Sequence, residues 1–405
     1  MDFSKNLGNF VTNLKNVIEN KIVIIGAGPA GVITSLFLSK SKIPHVLLDK
    51  AIFPRNKVCG ESFAGNVFKV LDDIDPVIKK EMYEKGIVKH ANHLSLYANS
   101  KSRFVFKMPS SKPAKIQASR FEFDEFLVRK ASNSKYCSLM EGLSVKNAVK
   151  ESENIKLMLS DKTTMNANMV VFSNGGVGSL VKNLRGEAYN VKGSQFLFAR
   201  GVYKNINVVN AKSAIDFTLL KTPFNNGCYL TYLPNGNVTV GLMVEAKLLK
   251  ENTNYSLEDT FIKAVKNHPY LNDVIGDSEL ISEIKTTSLK LGKFKKKFAG
   301  DNYLIAGDAA VPLNPVTGMG VMMAMYYGRN AANVIIDAVK KNDFSYNILR
   351  SYDAHCNKKF KSEFRKSNIY TYLQINHLNF FIWIIKQMDS NKLLEKWVNK
   401  VCFKS

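Results

Sequence analysis

The 405-residue sequence predicts an α/β fold in which a parallel-sheet domain, assembled from separate stretches of chain, is interleaved with an antiparallel β-sheet domain and followed by C-terminal helices. Three observations lead to this prediction. An unbroken apolar run near the N-terminus leads into a glycine-rich turn, alternating segments fill the middle, and a second solid apolar run near residue 303 precedes a long helical stretch. Solid runs are typical of parallel strands covered on both faces, whereas alternation is typical of antiparallel strands.

The first strand is predicted over residues 21–25, where every position after the first is isoleucine or valine. The turn that follows has the glycine spacing of a dinucleotide-binding turn. Gly26 permits the tight turn, Gly28 lets the backbone approach a pyrophosphate, and Gly31 lets the helix pack closely on the strand. This short stretch therefore predicts a phosphate-binding junction between strand and helix.

The helix after the turn begins with Pro29 and Ala30, and its N-terminal amides can bind phosphate groups. A second strand over residues 45–49 completes a β-α-β start. Asp49 closes this strand 18 residues after Gly31, where a carboxylate can accept ribose hydroxyls. Strand, turn, helix and carboxylate together predict a bound dinucleotide, but they do not separate NAD from FAD.

The middle of the chain predicts antiparallel hairpins with one face exposed or packed on a ligand. The alternating segments are residues 93–98, 103–107, 195–203 and 238–244, the last of which follows an Asn-Gly turn. They predict a second, sheet-rich domain interleaved with the first.

A late constellation favours FAD. Residues 303–306 have the pattern of a buried strand, Asp308 follows the strand, and a helix is predicted from about Gly318 to Lys340. A carboxylate at the strand end suits the ribityl hydroxyls of FAD. Amides at the helix start can point at the flavin N1 and C2 carbonyl edge, where negative charge accumulates on reduction.

These motifs resemble the FAD-dependent superfamily of aromatic hydroxylases, and within it the geranylgeranyl reductase and flavin-dependent halogenase branch. The matching segments are residues 26–31, 55–61, 119–127, 307–310 and 315–320, in the family's order. The resemblance implies a discontinuous Rossmann-like FAD-binding domain and an interleaved antiparallel substrate domain. It also implies that Arg55 lies near the adenosine half, Arg120 near the pyrophosphate and ribityl chain, and Asp308 on the ribityl hydroxyls. Outside its motif, either arginine could equally be a solvated surface charge.

Motifs and resemblance together give the predicted cofactor-binding residues. They are Gly26, Gly28, Pro29, Ala30, Gly31, Asp49, Lys50, Arg55, Gly60, Arg120, Gly307, Asp308, Ala309, Gly318, Met319 and Gly320. The predicted boundaries are 20–88, 113–185 and 291–344 for the FAD-binding domain, 89–112 and 186–290 for the substrate domain, and 345–405 for a helical tail.

Three further residues are candidates for the catalytic side of the site. In the reductase branch the cysteine matched by Cys59 lies close to the flavin, and here it either packs beside the ring system or takes part in redox chemistry. Tyr229 and Thr231 stand where halogenases carry two tryptophans, which counts against halogenation. They are candidates for a cavity wall that faces the flavin, or for ordinary strand packing. Asn174 replaces the acid of the family's Asp-Gly pair, which bears on how a nicotinamide donor docks.

The leading functional hypothesis is an FAD-dependent enzyme that reduces carbon–carbon double bonds in a hydrophobic prenyl or polyene substrate. The alternative is an FAD-dependent monooxygenase of an aromatic or polyketide-like substrate. A halogenase and a flavin-bound protein without turnover are the remaining hypotheses. Because the chain has one dinucleotide fingerprint, we expect NAD(P)H or another external electron donor to bind transiently.

Composition sets the remaining expectations. A net charge of +23 could attract nucleic acid, but the basic residues are spread along the chain, and we expect no such partner.

Residues 346–405 hold eleven Lys or Arg against four Asp or Glu, which predicts a helical cap or peripheral contact with an anionic membrane. The five scattered cysteines argue against disulfides and a zinc site, so no metal is expected. Without a long apolar stretch or a recognisable signal peptide, we expect a soluble cytoplasmic monomer or homodimer.

Overall fold

The computed structural model describes most of the chain between residues 22 and 359. The described residues are 22–91, 93–97, 103–107, 115–175, 180–181, 184, 195–204, 214–220, 226–251, 256–290, 297–310, 320–359, 361, 377, 380, 383 and 387. The predicted site residues Gly318 and Met319 lie outside them, as does most of the predicted tail.

The strands are β1 (Ile22–Ile25), β2 (His45–Leu48), β3 (Ser62–Ala64), β4 (Lys89–His90), β5 (His93–Tyr97), β6 (Arg103–Lys107), β7 (Lys115–Gln117), β8 (Cys137–Met140), β9 (Val145–Lys150), β10 (Ile155–Leu159), β11 (Thr164–Ala167), β12 (Met169–Phe172), β13 (Gln195–Lys204), β14 (Ala214–Leu220), β15 (Asn226–Tyr232), β16 (Val238–Glu245), β17 (Glu279–Leu280), β18 (Lys285–Lys290), β19 (Ala299–Gly300) and β20 (Tyr303–Ile305). The helices are α1 (Pro29–Lys40), α2 (Val67–Ile74), α3 (Pro76–Glu84), α4 (Arg120–Ser132), α5 (Ala246–Glu251), α6 (Leu257–Asn267), α7 (Pro269–Ile275) and α8 (Gly320–Lys341). Residues 307–309 form a 3₁₀ turn, and residues 346–359 are helical.

A six-stranded sheet in the order β19-β20-β12-β1-β2-β8 carries the glycine-rich turn. The pairs β1–β2, β1–β12, β12–β20 and β2–β8 are parallel, and only the edge pair β19–β20 is antiparallel. Every residue of β1, β2 and β12 is buried, as solid apolar runs predict. Because its central strands come from early, middle and late parts of the chain, the predicted discontinuous α/β fold is confirmed.

An eight-stranded sheet runs in the order β17-β13-β16-β15-β14-β5-β6, with β18 also paired to β13. Its ladders are antiparallel except for the parallel pair β14–β5. Alternation along β16 does not mark a solvent-exposed face, because Thr239 is as fully buried as its neighbour Val240. One face packs on α6 and α7 through Phe261 and Leu271, and the opposite face contacts a loop described below.

Two smaller three-stranded sheets complete the described strands. One has the order β11-β10-β9 and is antiparallel throughout. The other has the order β3-β7-β4 and is also antiparallel, and its strand β3 directly follows the loop of residues 55–61. Within the part of the chain described, no helix combines the length and apolar character needed to cross a bilayer.

Helix α8, which the structure describes from Gly320, packs against α1 at very short range. A Cβ atom on Gly328 would lie 2.2 Å from the carbonyl oxygen of Ala30, so only glycine fits at this crossing. The Thr34 hydroxyl donates to the carbonyls of Ala30, at 2.9 Å, and of Gly328, at 3.2 Å. This contact fixes the late helix directly over the early one.

A buried polar chain ties α1 to β2 and β8. His45 Nδ1 lies 2.9 Å from the carbonyl of Ile43 and therefore carries the proton, which leaves Nε2 to accept from the Ser35 hydroxyl at 2.7 Å. Ser35 Oγ also lies 3.3 Å from Cys137 Sγ. Burial lowers the pKa of His45 to about 4, against an opposing contribution from the Ile43 hydrogen bond. The folded protein thus holds this imidazole neutral.

We predict that protonation of His45 contributes to acid destabilisation. An unfolded histidine takes up a proton near its ordinary pKa of about 6.5, so the stability it confers is complete above that pH and is lost as the pH falls towards 4. Between pH 7.5 and pH 5 the wild type should lose about 2 kcal/mol more unfolding free energy than His45→Gln. Urea unfolding at both pH values measures this difference, and equal losses in the two proteins would contradict it.

Candidate functional site

The early junction is shaped by glycines and by Asp49. Gly26 has φ +101°, and a Cβ on Gly31 would lie 1.8 Å from the Gly26 carbonyl oxygen, so both positions need glycine. The amide of Ala27 donates to Asp49 Oδ2 at 2.7 Å, and Ala51 donates to Oδ1 at 2.8 Å. The predicted ribose-binding carboxylate therefore also holds the turn in place.

In the part of the chain that the structure describes, no side chain caps the N-terminal amides of helix α1. Its N-cap Gly28 provides no capping side chain, and the first turn holds no acidic residue. Among the described residues, the one atom within contact distance of a Cβ on Gly28 would be Arg55 Nη2, at 3.7 Å. Arg55 Nη1 is buried and has no hydrogen-bond partner among the described residues. Uncapped amides beside an unsatisfied guanidinium nitrogen form a site for an anion.

Two arginines share one carboxylate at this junction. Arg120 binds Asp124 through two hydrogen bonds of 2.7 and 2.6 Å, and Arg55 Nη2 lies 3.3 Å from the same carboxylate. Burial lowers the pKa of Arg55, with Asp124 opposing the shift. For Arg120 burial acts the same way, but the attraction of Asp124 outweighs it and the pKa is raised. Both guanidinium groups stay charged and share the Asp124 carboxylate, an arrangement that suits binding of a diphosphate.

The late junction places Asp308 opposite Lys57. Gly307 turns the chain with φ +65°, and the Asp308 side chain after it is accessible to solvent. Surrounding protein nevertheless raises the pKa of Asp308 by desolvation, against the attraction of Lys57 and Arg120. Desolvation likewise lowers the pKa of Lys57, with Asp308 opposing. Asp308 and Lys57 are thus accessible to water and at the same time surrounded by protein atoms, which is typical of side chains that line a deep cleft.

The two junctions meet in space. A Cβ on Gly307 would lie 3.0 Å from the Cβ of Ala30, so the late turn touches the first turn of α1. The loop of residues 55–61 runs between the two junctions. Its Arg55 lies beside Gly28 at the early junction, and its Lys57 interacts electrostatically with Asp308 at the late junction. The predicted early and late motifs are therefore brought together around a single cleft.

The segment Cys59–Glu61 is held by the eight-stranded sheet. Tyr229 donates to the carbonyl of Cys59 at 3.3 Å, and the buried Thr231 hydroxyl donates to that of Gly60 at 2.7 Å. Glu61 has a left-handed backbone, with φ +55°, and its side chain is 1% exposed. The sheet thus holds Cys59 and Gly60 by their carbonyl groups and Glu61 by its side chain.

Glu61 is the centre of a buried network that joins the eight-stranded sheet to the start of helix α4 and to Ala118 just before it. Its Oε1 accepts from the Arg120 amide at 3.0 Å, and its Oε2 accepts from Arg200 Nη2 at 2.7 Å. The Thr239 hydroxyl donates to the same Oε2. The Glu61 carbonyl also accepts from the Ala118 amide at 3.1 Å.

The candidate catalytic residues lie on or against this segment. Cys59 is a half-buried free thiol whose Sγ lies 3.4 Å from the Glu61 amide. The Tyr229 ring packs against Gly241, where a Cβ would approach it to 2.2 Å, and it stacks on Phe198 with ring centroids 5.5 Å apart. Burial raises the pKa of Tyr229 well above its ordinary value, so its hydroxyl stays protonated.

Several residues at the cleft were not among the sequence-based site predictions. They are Lys57, Glu61, Asp124, Arg200 and Thr239. Arg200 carried one signal, because it is the only charged residue between Gln195 and Tyr203 in an otherwise largely apolar strand. The roles predicted for the listed site residues stay predictions, and Lys50 is exposed beside Asp49.

The cleft fits FAD. Uncapped α1 amides, an unsatisfied buried guanidinium nitrogen on Arg55 and two charged arginines suit a diphosphate, and Asp308 supplies an acceptor for ribityl hydroxyls. Asn174 Oδ1 is also buried without a hydrogen-bond partner among the described residues. Fold and site together define an FAD-dependent oxidoreductase.

The family model described as FAD binding domain matches residues 19–365, and the chain belongs to this family. Among relatives, conditioned medium factor receptor 1 of Dictyostelium discoideum is 27% identical over 377 residues, covering 85% of this chain and 69% of the relative. Digeranylgeranylglycerophospholipid reductase 3 of Methanosphaera stadtmanae is 24% identical over 96% of each chain.

Solved structures show the same fold. A geranylgeranyl bacteriochlorophyll reductase-like protein from Thermoplasma acidophilum superposes with a TM-score of 0.79 at 16% identity, covering 94% of this chain and 96% of that one. The flavin-dependent brominase Bmp2 superposes with a TM-score of 0.75 at 20% identity, covering 95% and 94%. The expected resemblance to geranylgeranyl reductases and halogenases is confirmed.

We predict that Asp308→Ala yields largely colourless protein. Loss of an acceptor for ribityl hydroxyls should weaken FAD binding roughly tenfold or more, since hydrogen bonds to charged groups contribute about 1.5–3 kcal/mol. The visible absorbance of the purified protein measures the retained flavin. Asp337→Ala, which removes an exposed carboxylate from the outer side of α8, should stay yellow. An undiminished flavin spectrum in Asp308→Ala would overturn the assignment.

Proposed function

We propose that the protein uses FAD to reduce carbon–carbon double bonds in a hydrophobic prenyl or polyene substrate. The observation that carries this proposal is the stacked pair of Phe198 and Tyr229 on the sheet face that holds Cys59–Glu61. The pair is a largely buried aromatic layer beside the segment that lines the flavin cleft, and an apolar wall of this kind favours an extended apolar molecule over a charged one.

The cross-strand register supports an apolar surface that continues past the aromatic pair. Phe198 lies opposite Met243, and Met243 lies opposite Gly227, in one row across β13, β16 and β15. The next row holds Arg200, Gly241 and Tyr229. The sheet face therefore changes from polar contacts at the loop to apolar side chains away from it, as binding of a lipophilic chain requires.

Bound FAD supplies a two-electron hydride equivalent for such a reduction. The residues of this chain bind and orient the cofactor. Arg55, Arg120 and the N-terminus of α1 bind its diphosphate, and Asp308 binds its ribityl chain. Thr231, which stands where halogenases carry a tryptophan, uses its hydroxyl to hold the Gly60 carbonyl. This hydrogen bond supports a structural role for Thr231 rather than a role in halogenation. NAD(P)H or another external donor would reduce the flavin transiently, and membrane contact stays a prediction.

The proposal predicts turnover without oxygen. The bound flavin is reduced with dithionite under anaerobic conditions, and a polyprenyl substrate is added while the flavin absorbance is followed. We expect the oxidised spectrum to return together with a product that has gained two hydrogens per reduced double bond. The fully saturated analogue of the same chain is the matched control and should leave the flavin reduced.

Two outcomes decide between the candidate activities. Reoxidation by the unsaturated chain alone supports the reductase. Reoxidation only after oxygen is admitted, together with a hydroxylated product from an aromatic substrate, would replace the reductase by the alternative monooxygenase.

A further inference from the structure

The loop of residues 55–61 lines the cofactor cleft, but its last residue is anchored outside the parallel sheet. Arg55 and Lys57 face the two junctions, whereas Glu61 is bound by Arg200 on β13 and Thr239 on β16. The partners are 139 and 178 residues away in sequence. The position of the loop in the cleft therefore depends on a contact with the other large sheet.

The ion pair between Glu61 and Arg200 is almost completely shielded from solvent. Their side chains are 1% and 7% exposed. Removing one partner of such a pair leaves an uncompensated buried charge, which is far more costly than losing an exposed pair. Arg200 Nε has no hydrogen-bond partner among the described residues, so the guanidinium depends strongly on the carboxylate.

Glu61 also has a backbone conformation that a non-glycine residue adopts only when its surroundings impose it. Its φ of +55° lies in the left-handed region, directly after Gly60, whose Cβ position would be 3.3 Å from the Tyr229 ring. Strain of this kind persists where neighbouring contacts over-determine the backbone. Here those contacts come from Arg120, Arg200 and Thr239.

We propose that the buried Glu61–Arg200 pair is an interdomain latch that sets the position of residues 55–60 against the flavin. Glu61, Arg200 and Thr239 are then positioning residues, which act on the cofactor through the loop without touching it. The inference rests on FAD binding and is independent of which substrate the enzyme reduces.

The test compares Glu61→Gln and Thr239→Val with the wild-type protein. FAD dissociation constants are measured by titrating apoprotein, and the flavin absorbance and circular dichroism spectra are recorded at saturating FAD. Glu61→Gln should weaken FAD binding at least tenfold and alter the flavin spectrum, because it releases the loop. Thr239→Val, which removes one hydrogen bond and keeps the side-chain shape, should produce a smaller change in the same direction.

Two further variants separate positioning from general stability. Adding Arg200→Gln to Glu61→Gln removes the unpaired cation and should not weaken FAD binding further, since the two residues act as a unit. Asp353→Asn is the matched control: this buried carboxylate accepts the amides of Phe298 and Ala299, and neither Phe298 nor Ala299 belongs to the loop. It should lower the unfolding midpoint and leave the flavin spectrum unchanged.

The proposal is overturned if Glu61→Gln and Thr239→Val behave like Asp353→Asn, with reduced stability but unchanged FAD affinity and spectrum. If Glu61→Gln does not fold, Thr239→Val decides alone. An altered flavin spectrum in that variant supports the latch, and an unaltered one rejects it.

Discussion

Helices α1 and α8 cross with backbone against backbone where Gly328 faces the Ala30 carbonyl, and the Thr34 hydroxyl bonds to both helices at that point. Any side chain at Gly328 would push the helices apart. Because α8 follows the late junction, this crossing also sets Gly307 against Ala30. A cleft that touches both junctions exists only because the two helices pack this closely, and the phosphate and ribityl ends of the site depend on it.

Two buried carboxylates at the cleft, Asp124 and Glu61, pair with arginines in different ways. Asp124 pairs with both Arg55 and Arg120 and neutralises only part of their charge, which leaves guanidinium groups that can bind a diphosphate. Glu61 instead takes its cation, Arg200, from the antiparallel sheet. The Asp124 carboxylate thus shapes the anion site, and the Glu61 carboxylate joins the start of helix α4 to the antiparallel sheet. These contacts explain why both acidic side chains are buried in a strongly basic protein.

The sequence was most informative where the chemistry is local. The turn at Gly26–Gly31 and Asp308 each follow a solid apolar strand within a few residues, so pattern and spacing were sufficient to predict both junctions. The network around Glu61 could not be predicted in this way, because its partners come from β13, β16 and α4. The identity of those partners depends on strand register and on which face each residue occupies, and neither is encoded in a short motif. The same limit applies to Lys57, whose role follows from its position opposite Asp308.

The central claim is that one dinucleotide contacts both junctions at once. Calorimetric titration of the apoprotein with FAD, FMN and ADP tests it most directly, because FMN and ADP each carry only part of the ligand. The account predicts one FAD per chain, bound roughly a hundredfold or more tighter than either fragment, since linked contacts reinforce each other. FMN that binds as tightly as FAD, or an apoprotein that binds no flavin at all, would contradict it.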